Sequence, residues 1–510
     1  MMRARASNEA NDEAREIERE RRHCFGCLLL LARPAGSHSY MSAAPVLSEL
    51  LSIERLGAAL GGVRVLEIEI EPPQELEQSS IALVRVRHGD RDDATTTTTT
   101  LVAKLVHVPS LRARIPKSAD KWLISVRSFE NEYSFYARRP IESLRAQGIR
   151  VPRAVLLDAS WPQPRGADGA TSMATILHND GEDSNDDEGR VFDRWYLMVL
   201  EHLSDDEYHQ MSLLSSIADV RHLVAWLARF HAYFWDRVEL VDGSLPQGAW
   251  WRQSLRPSVK FDTIPAVFDE LLHSFDAMRV SLDTRENHQH MAWLRDNVAR
   301  VAGTTARSAR TLVHGDCKMS NLFFRRQPSH RGDTDTDGDS DNVAVIDYQW
   351  CAPNSSGMSD VVYALVSCIS FEALAQQWYG CGDTATATTT TTTTARLLDD
   401  IDAIELGDRI ETEVLHHYHR QLHSALVARD GHSSYTFAEL ERDYEWEFLD
   451  YFKTAMPQLW PGLTSSVLLE NRGKYGWLAH EMERHCVQWM CHRALTIIRK
   501  LRAASTSDVS

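Results

Sequence analysis

The chain predicts an α+β protein of two unequal lobes: a small antiparallel sheet with one helix comes first, then a larger and mainly helical body. Three observations lead there. Short runs of alternating apolar and polar residues recur through roughly the first two hundred residues, as half-buried strands require. After about Asp205 these give way to long stripes with helical spacing. The chain of 510 residues is 43% hydrophobic and 25% charged, enough to bury a sizeable core and far from the composition of a disordered chain.

In chain order, Leu66 to Ile70 is apolar at every second residue, and Ile81–Arg87 and Leu101–His107 are further β-prone runs. Ser128–Arg139 carries Phe129, Glu132, Phe135 and Tyr136 at three- and four-residue steps and predicts a helix. Val151–Asp158 and Trp195–Leu200 add two more strands. Beyond them Val220, Leu223, Val224, Leu227, His231 and Phe234 share one helical face, and similar stripes run through Phe437–Phe452 and Leu478–Leu501. The expected division is a disordered leader over 1–45, a first lobe over 46–204 and a helical lobe over 205–505.

Four low-complexity insertions interrupt the pattern: Ala94–Thr100, His178–Arg190, Arg331–Asn342 and Thr384–Thr394. None can bury apolar surface, so each is expected in a solvent-facing turn. The first three fall between predicted strand partners, where added length costs little because closure entropy grows only logarithmically.

The 72 acidic residues against 55 basic ones leave a formal charge of −17, which excludes a broad nucleic-acid surface. His178–Gly189 has six acids and Gly332–Asn342 five, with no base in either, so the rest of the chain is only mildly acidic. No run reaches the ~18 apolar residues of a membrane span. The stretch Cys24–Ala32 follows a mixed-charge segment and makes a poor secretory signal. Eight cysteines show no disulfide framework, and Cys24-x-x-Cys27 beside His23 lacks a second pair for a metal. In the helical stripe near the end, Cys486 and Cys491 stand five residues apart, on different faces. A reduced, cytoplasmic protein is expected.

The most informative stretch is Thr311-Leu-Val-His314-Gly315-Asp316-Cys317-Lys318-Met319-Ser320-Asn321, with apolar residues on both sides. Downstream, Val343-Ala-Val-Ile346 ends in Asp347. Phosphoryl transfer needs a carboxylate to accept the proton of an attacking hydroxyl, and hard oxygen ligands for Mg²⁺ beside the phosphates. Asp316 suits the first role, and Asn321 with Asp347 the second. The His-Gly-Asp tripeptide alone is weak; the Asp-x4-Asn spacing between two apolar strands, the second ending in Asp, is much stronger.

Together with Ile346-Asp347-Tyr348-Gln349, this set resembles the aminoglycoside phosphotransferase and choline kinase superfamily. Within it the set is most similar to the ecdysteroid-kinase-like (CHK kinase-like) families. Leu227-Ala-Arg-Phe-His231-Ala-Tyr-Phe-Trp235, Gly357-Met-Ser-Asp360-Val-Val-Tyr363 and Tyr435–Leu440 agree with it, so the resemblance covers most of the chain from roughly residue 60 to 500. It implies a bilobal protein-kinase-like fold, ATP and Mg²⁺ as cofactors, and a small-molecule hydroxyl acceptor. It also implies that Lys104 grips the α/β-phosphates with Glu132 as its partner, in preference to Glu130. Val199–Leu203 would be the hinge whose backbone reads adenine at Glu201 and Leu203, and Lys318 would sit near the γ-phosphate. His314 and Asp360 are expected to hold the loop, and His231 to pack.

One departure stands out. Kinases place a glycine-rich turn over the phosphates; here Glu71–Ser80 has two prolines and no glycine, leaving Ser79 and Ser80 as candidate hydroxyl donors. This keeps a catalytically impaired binding protein as the alternative. A protein kinase is disfavoured because Asp-Phe-Gly and Ala-Pro-Glu are absent. The acceptor is expected against the helical lobe. Trp250, Trp251, Trp378, Tyr379, Trp446 and Trp489 lie there. Scattered aromatics of this kind are far more often core packing than an aromatic cage for a quaternary ammonium. A steroid or isoprenoid alcohol would also suit an apolar pocket, and the sequence does not choose.

Overall fold

The computed structural model describes residues 47, 50–75, 79–89, 96–114, 119–160, 194–237, 240, 248–256, 258–305, 310–326, 342–379, 402–471 and 483–507. The leader with its Cys24/Cys27 pair, the acidic insertions except Asn342, and Thr384–Thr394 lie outside these residues.

Helix α1 (Ile53–Ala59) starts at Ser52, whose hydroxyl accepts the Arg55 N–H at 3.2 Å. Strands β1 (Val65–Ile70), β2 (Gln74–Glu75), β3 (Ser80–Gly89) and β4 (Thr96–His107) follow, then helices α2 (Val108–Arg114), α3 (Ala119–Arg138) and α4 (Ile141–Ala146). Strands β5 (Ala154–Ala159) and β6 (Trp195–Glu201) complete the sheet, in the order β1-β3-β4-β6-β5 with β2 against β3 and every pairing antiparallel.

The threonine run corrects an expectation. Thr96–Thr100 is not a turn but the first part of β4, paired with Arg85–Gly89. Threonine is β-branched, so a polar run beside a partner strand extends the ladder at the exposed edge. The other two insertions expected at hairpin tips do separate paired strands: β5 from β6, and two later strands from each other.

Parity along β4 divides the sheet's residues. Ala103, Leu105, Ala82, Val84 and Val199 pack with Leu51 and Leu56 of the α1 region on one face. Lys104, Val106, Met198 and Tyr196 occupy the other face, the last three in the main core shared with α3. The expected helix Ser128–Arg139 begins earlier, at Ala119, because Trp122 and Val126 continue its apolar stripe into that core.

The second lobe begins with β7 (Tyr208–His209) and α5 (Ile217–Phe234), capped by Ser216. Helices α6 (Ile264–Ser274), α7 (Asp276–Leu282), α8 (Arg285–Asp296) and α9 (Val298–Thr305) follow. Then come β8 (Thr311–Val313), β9 (Leu322–Arg325), β10 (Val343–Val345) and β11 (Ala352–Asn354), forming the small sheets β10-β9-β7 and β11-β8. Helices α10 (Met358–Cys368), α11 (Phe371–Tyr379), α12 (Ala403–Asp430), α13 (Phe437–Leu459), α14 (Ser465–Asn471) and α15 (Arg484–Ser507) close the chain. A capping box between Thr436 and Glu439 starts α13. This is the α+β, two-lobed, kinase-like architecture the sequence predicts. Among the described residues no helix is long and apolar enough to cross a membrane.

Leu56 is fully buried between α1 and the outer sheet face. Leu56→Ala is expected to lower unfolding stability by about 2–5 kcal/mol, read as a shifted urea midpoint with unchanged slope.

Candidate functional site

Four distant chain segments meet at one buried group of charges. From β4, Lys104 Nζ lies 2.7 Å from Glu132 Oε2 on α3 and 3.1 Å from Asp347 Oδ1 beyond β10. All three residues are buried. Between β8 and β9, Asp316 Oδ2 pairs with Lys318 Nζ at 2.8 Å. Asn321 Nδ2 donates to the Asp316 backbone oxygen at 2.9 Å and lies 3.5 Å from its carboxylate. The rival acid Glu130 is turned elsewhere, to Arg127.

The charges settle unevenly. Burial alone would lower the pKa of Lys104, but Asp347 and Glu132 outweigh it and hold the ammonium well above the ordinary lysine value. Burial raises Asp347 too, yet Lys104 and Lys318 reverse this and keep it below the usual carboxylate value. Glu132 goes the other way: burial, with Asp347 adding to it, outweighs the pull of Lys104 and lifts it to about 7. Burial raises Asp316 against the attraction of Lys318.

The loop is built from backbone constraints. Gly315 has φ +80°, and a Cβ there would lie 2.1 Å from the Trp350 carbonyl oxygen, so this turn needs glycine. Asp360 at the start of α10 accepts the His314 N–H at 2.6 Å and the Gly315 N–H at 2.8 Å. Its pKa is pushed up by burial but held low by His231 and these donors. His231 on α5 lies 3.1 Å from Asp360 through Nε2 and 2.8 Å from the Tyr418 hydroxyl of α12 through Nδ1. An Nε2–H tautomer donates to Asp360 and accepts from Tyr418. His231 is therefore a hydrogen-bonded strut and not the simple packing residue its apolar stripe suggests.

His314 Nε2 lies 2.9 Å from the Ile346 carbonyl oxygen, and the Ile346 N–H donates to the Asn321 carbonyl at 3.0 Å. These two bonds couple the Asp316 loop to the Asp347 segment. Asp347 itself takes a left-handed conformation, φ 67° and ψ 66°, which aspartate tolerates better than most residues.

Other expected residues are less uniform. Ile81 faces Lys104 across the ladder and Ser80 faces Leu105, so Ser80 lies on the α1 side, while Ser79 is buried just before the strand begins. Glu201's carboxylate is committed to Arg145 at 2.8 Å and Arg150 at 2.7 Å, and its N–H to the Arg153 carbonyl. The geometry thus brings together Lys104, Glu132, Asp316, Lys318, Asn321 and Asp347, but not Ser80 or the Glu201 side chain. Leu203 joins Phe323, Ala344, Ile346 and Tyr208 in a small apolar cluster beside Asn321 and Asp347. Sequence reasoning missed Phe323 and Ile346, whose signal was their position two residues after Asn321 and one before Asp347. It also missed Asn131, whose Nδ2 donates to the Tyr348 and Gln349 carbonyls at 3.2 and 3.1 Å and ties α3 to that segment.

The donor set suits a Mg²⁺ ion that takes most of its ligands from phosphate and water. Asp347 could offer a carboxylate and Asn321 an amide oxygen, its NH₂ being used on Asp316. Among the described residues no group of three or more His, Cys, Asp or Glu side chains could hold a metal alone.

Residues 82–380, more than half of the chain, match the model of the ecdysteroid kinase-like family. The chain belongs to that family, and with it to the superfamily its motifs resemble. No curated protein matches the sequence. Among solved structures, one described as a "putative aminoglycoside phosphotransferase" from Ralstonia eutropha JMP134 is similar at 12% identity and a TM-score of 0.34, over 87% of this chain and 97% of that one.

Replacing Asp360 by Asn leaves one acceptor oxygen for two backbone donors. Asp360→Asn is expected to cost about 1–3 kcal/mol and to speed hydrogen exchange at the His314 and Gly315 amides. Unchanged exchange at both would show that Asp360 does not brace the loop.

Proposed function

We propose that this member of the ecdysteroid kinase-like family is an ATP- and Mg²⁺-dependent phosphotransferase acting on a hydroxyl of a small molecule. One observation carries the reading: Lys104, Glu132, Asp316, Lys318, Asn321 and Asp347, drawn from four separate chain segments, converge as a buried, charge-paired group. In this reading the lobes divide at 46–204 and 205–505, and adenine lies against Leu203, Phe323 and Ile346, read by backbone groups of Glu201 and Leu203. Lys104, steadied by Glu132, holds the α/β-phosphates, with Ser79 as a hydroxyl donor. Asn321 and Asp347 would hold Mg²⁺, which supplies charge neutralisation for the phosphates.

Asp316 orients the acceptor hydroxyl and takes its proton. The oxygen forms a bond to the γ-phosphorus while the bond to the β-bridging oxygen breaks and ADP leaves. Its raised pKa suits a proton acceptor. Lys318, paired with it, is the ammonium nearest the moving phosphoryl group. Rate comes from positioning and from fixed charges in a dry site.

The test is ATP consumption with a pool of metabolites, read by mass spectrometry. Asp316→Asn should lower turnover by about 10²–10⁴-fold with little change in nucleotide affinity; full turnover would remove Asp316 from its role. Asp347→Ala should abolish the Mg²⁺ dependence of ATP binding. The glycine-free segment before β3 motivates a second reading, a nucleotide-binding protein without turnover, which predicts thermal stabilisation by MgATP and no consumption.

A pH dependence follows from Glu132, raised to about 7. Above that pH it is ionised and pairs with Lys104; below it, it is protonated and the pairing weakens. MgATP affinity measured calorimetrically should therefore fall as pH drops through about 7, and Glu132→Gln should be weaker and flat across this range.

A further inference from the structure

We infer that Arg256 is a specificity residue, and that the acceptor carries an anionic group, a carboxylate or sulfate. The inference rests on the phosphotransferase reading and deepens it.

The segment 248–256 is pinned beside the reaction loop. Gly248 N–H donates to the Pro353 carbonyl at 3.1 Å, and Trp250 N–H donates to the Gly315 carbonyl at 3.1 Å, next to Asp316. Between them Ala249 is held at φ 87°, a backbone state that non-glycine residues keep only when their surroundings impose it. From the far side Arg252 anchors the segment to Asp450 and Glu447 of α13 at 2.7 and 2.9 Å, all three buried.

Arg256 completes this arrangement. Its Nε donates to the Trp250 carbonyl at 3.0 Å, and its guanidinium carbon stands 5.2 Å from the Trp250 ring and 5.5 Å from the Trp350 ring. Both rings belong to residues that touch Gly315, Trp250 through its N–H and Trp350 through its carbonyl. The guanidinium is thus held in one place by two aromatic faces and one hydrogen bond, alongside the loop that carries Asp316. Among the described residues no acid pairs with it, and it is half-buried rather than fully solvated. An oriented guanidinium beside the candidate site, with no acidic partner among the described residues, is a receptor for an anion from outside. Next to it Trp350 is partly buried against a small apolar cluster whose other members, Ile124, Leu255 and Ala352, are buried, so the face beside the guanidinium is firmly backed. Neutral sterols and quaternary ammonium alcohols give such a guanidinium nothing to pair with.

Two panels of hydroxyl compounds test this, one whose members also bear a carboxylate or sulfate and one neutral. With MgATP, transfer is expected only to the anionic panel, and Arg256→Gln should lower kcat/KM for its best member roughly 10- to 100-fold, mainly through KM. The KM for MgATP should not move, and Arg256→Lys should restore part of the loss. A second arm needs no turnover: phenylglyoxal labelling of Arg256, read by peptide mass spectrometry, should be blocked by the anionic panel and not by the neutral one. Protection without transfer would sink the kinase reading and keep the anion site. Transfer to neutral compounds at equal rates in wild type and Arg256→Gln, or equal labelling with both panels, would overturn the inference.

Discussion

A lysine ammonium removed from water with only one carboxylate beside it is costly to bury, and two carboxylates around one ammonium leave a net negative charge in a dry place. That is the situation of Lys104, which reaches Glu132 and Asp347 from positions 28 and 243 residues away. The arrangement is tolerable because the excess charge is placed unequally: Asp347 keeps it, helped by Lys318, while Glu132 sits near its own titration point. Much of the surrounding structure serves that placement. Strand β4 is held centrally between β3 and β6, α3 presents Glu132 from the main core, and Asp347 stands in a left-handed conformation at the end of β10. A group of this kind is not built for stability. A site with surplus negative charge and hard oxygens instead has an electrostatic reason to take up a divalent cation.

The same economy governs the loop around Asp316. On the proposed reading the Asp316 carboxylate serves proton transfer, and its backbone is anchored instead by Asp360. It collects two backbone N–H groups and is itself held by His231, which is held by Tyr418. The chain of contacts runs from α12 through α5 and α10 to Gly315, linking three helices of the second lobe to one turn. Gly357 belongs to it as well, since a Cβ there would come within 2.1 Å of His231 Nδ1. The geometry of the turn before Asp316 is therefore set by residues of α5, α10 and α12.

How far this was readable beforehand depends on how local each signal is. The strands, the helical stripes and the Asp-x4-Asn spacing are local, and they reappear at nearly the expected positions. Register parity is not local: Ser79 and Ser80 look equivalent in sequence, and only the pairing of Ser80 with Leu105 puts Ser80 on the α1 side. Glu201 likewise reads as a hinge residue, while its carboxylate is spent on Arg145 and Arg150, which no spacing rule connects to it. His231 was misjudged for the same reason, because its polar partners lie 129 and 187 residues further on. The threonine run failed differently. Its composition says nothing about burial, and the availability of β3 as a partner decided the outcome.

The glycine-free turn is best weighed against this geometry. Backbone N–H groups can approach phosphates closely only where no side chain intervenes, and two prolines in Glu71–Ser80 remove two such donors outright. Instead of an open loop, β2 folds back on β3, pairing Gln74 with Ile81 and Glu75 with Ser80. Ser79, just before β3, is buried. On the proposed reading the grip on the phosphates then comes from below, through Lys104 and the ion held by Asn321 and Asp347, with a hydroxyl in place of a row of amides above. Such a grip depends more steeply on the divalent ion than a glycine-rich one would, since fewer neutral donors remain to hold the phosphates without it.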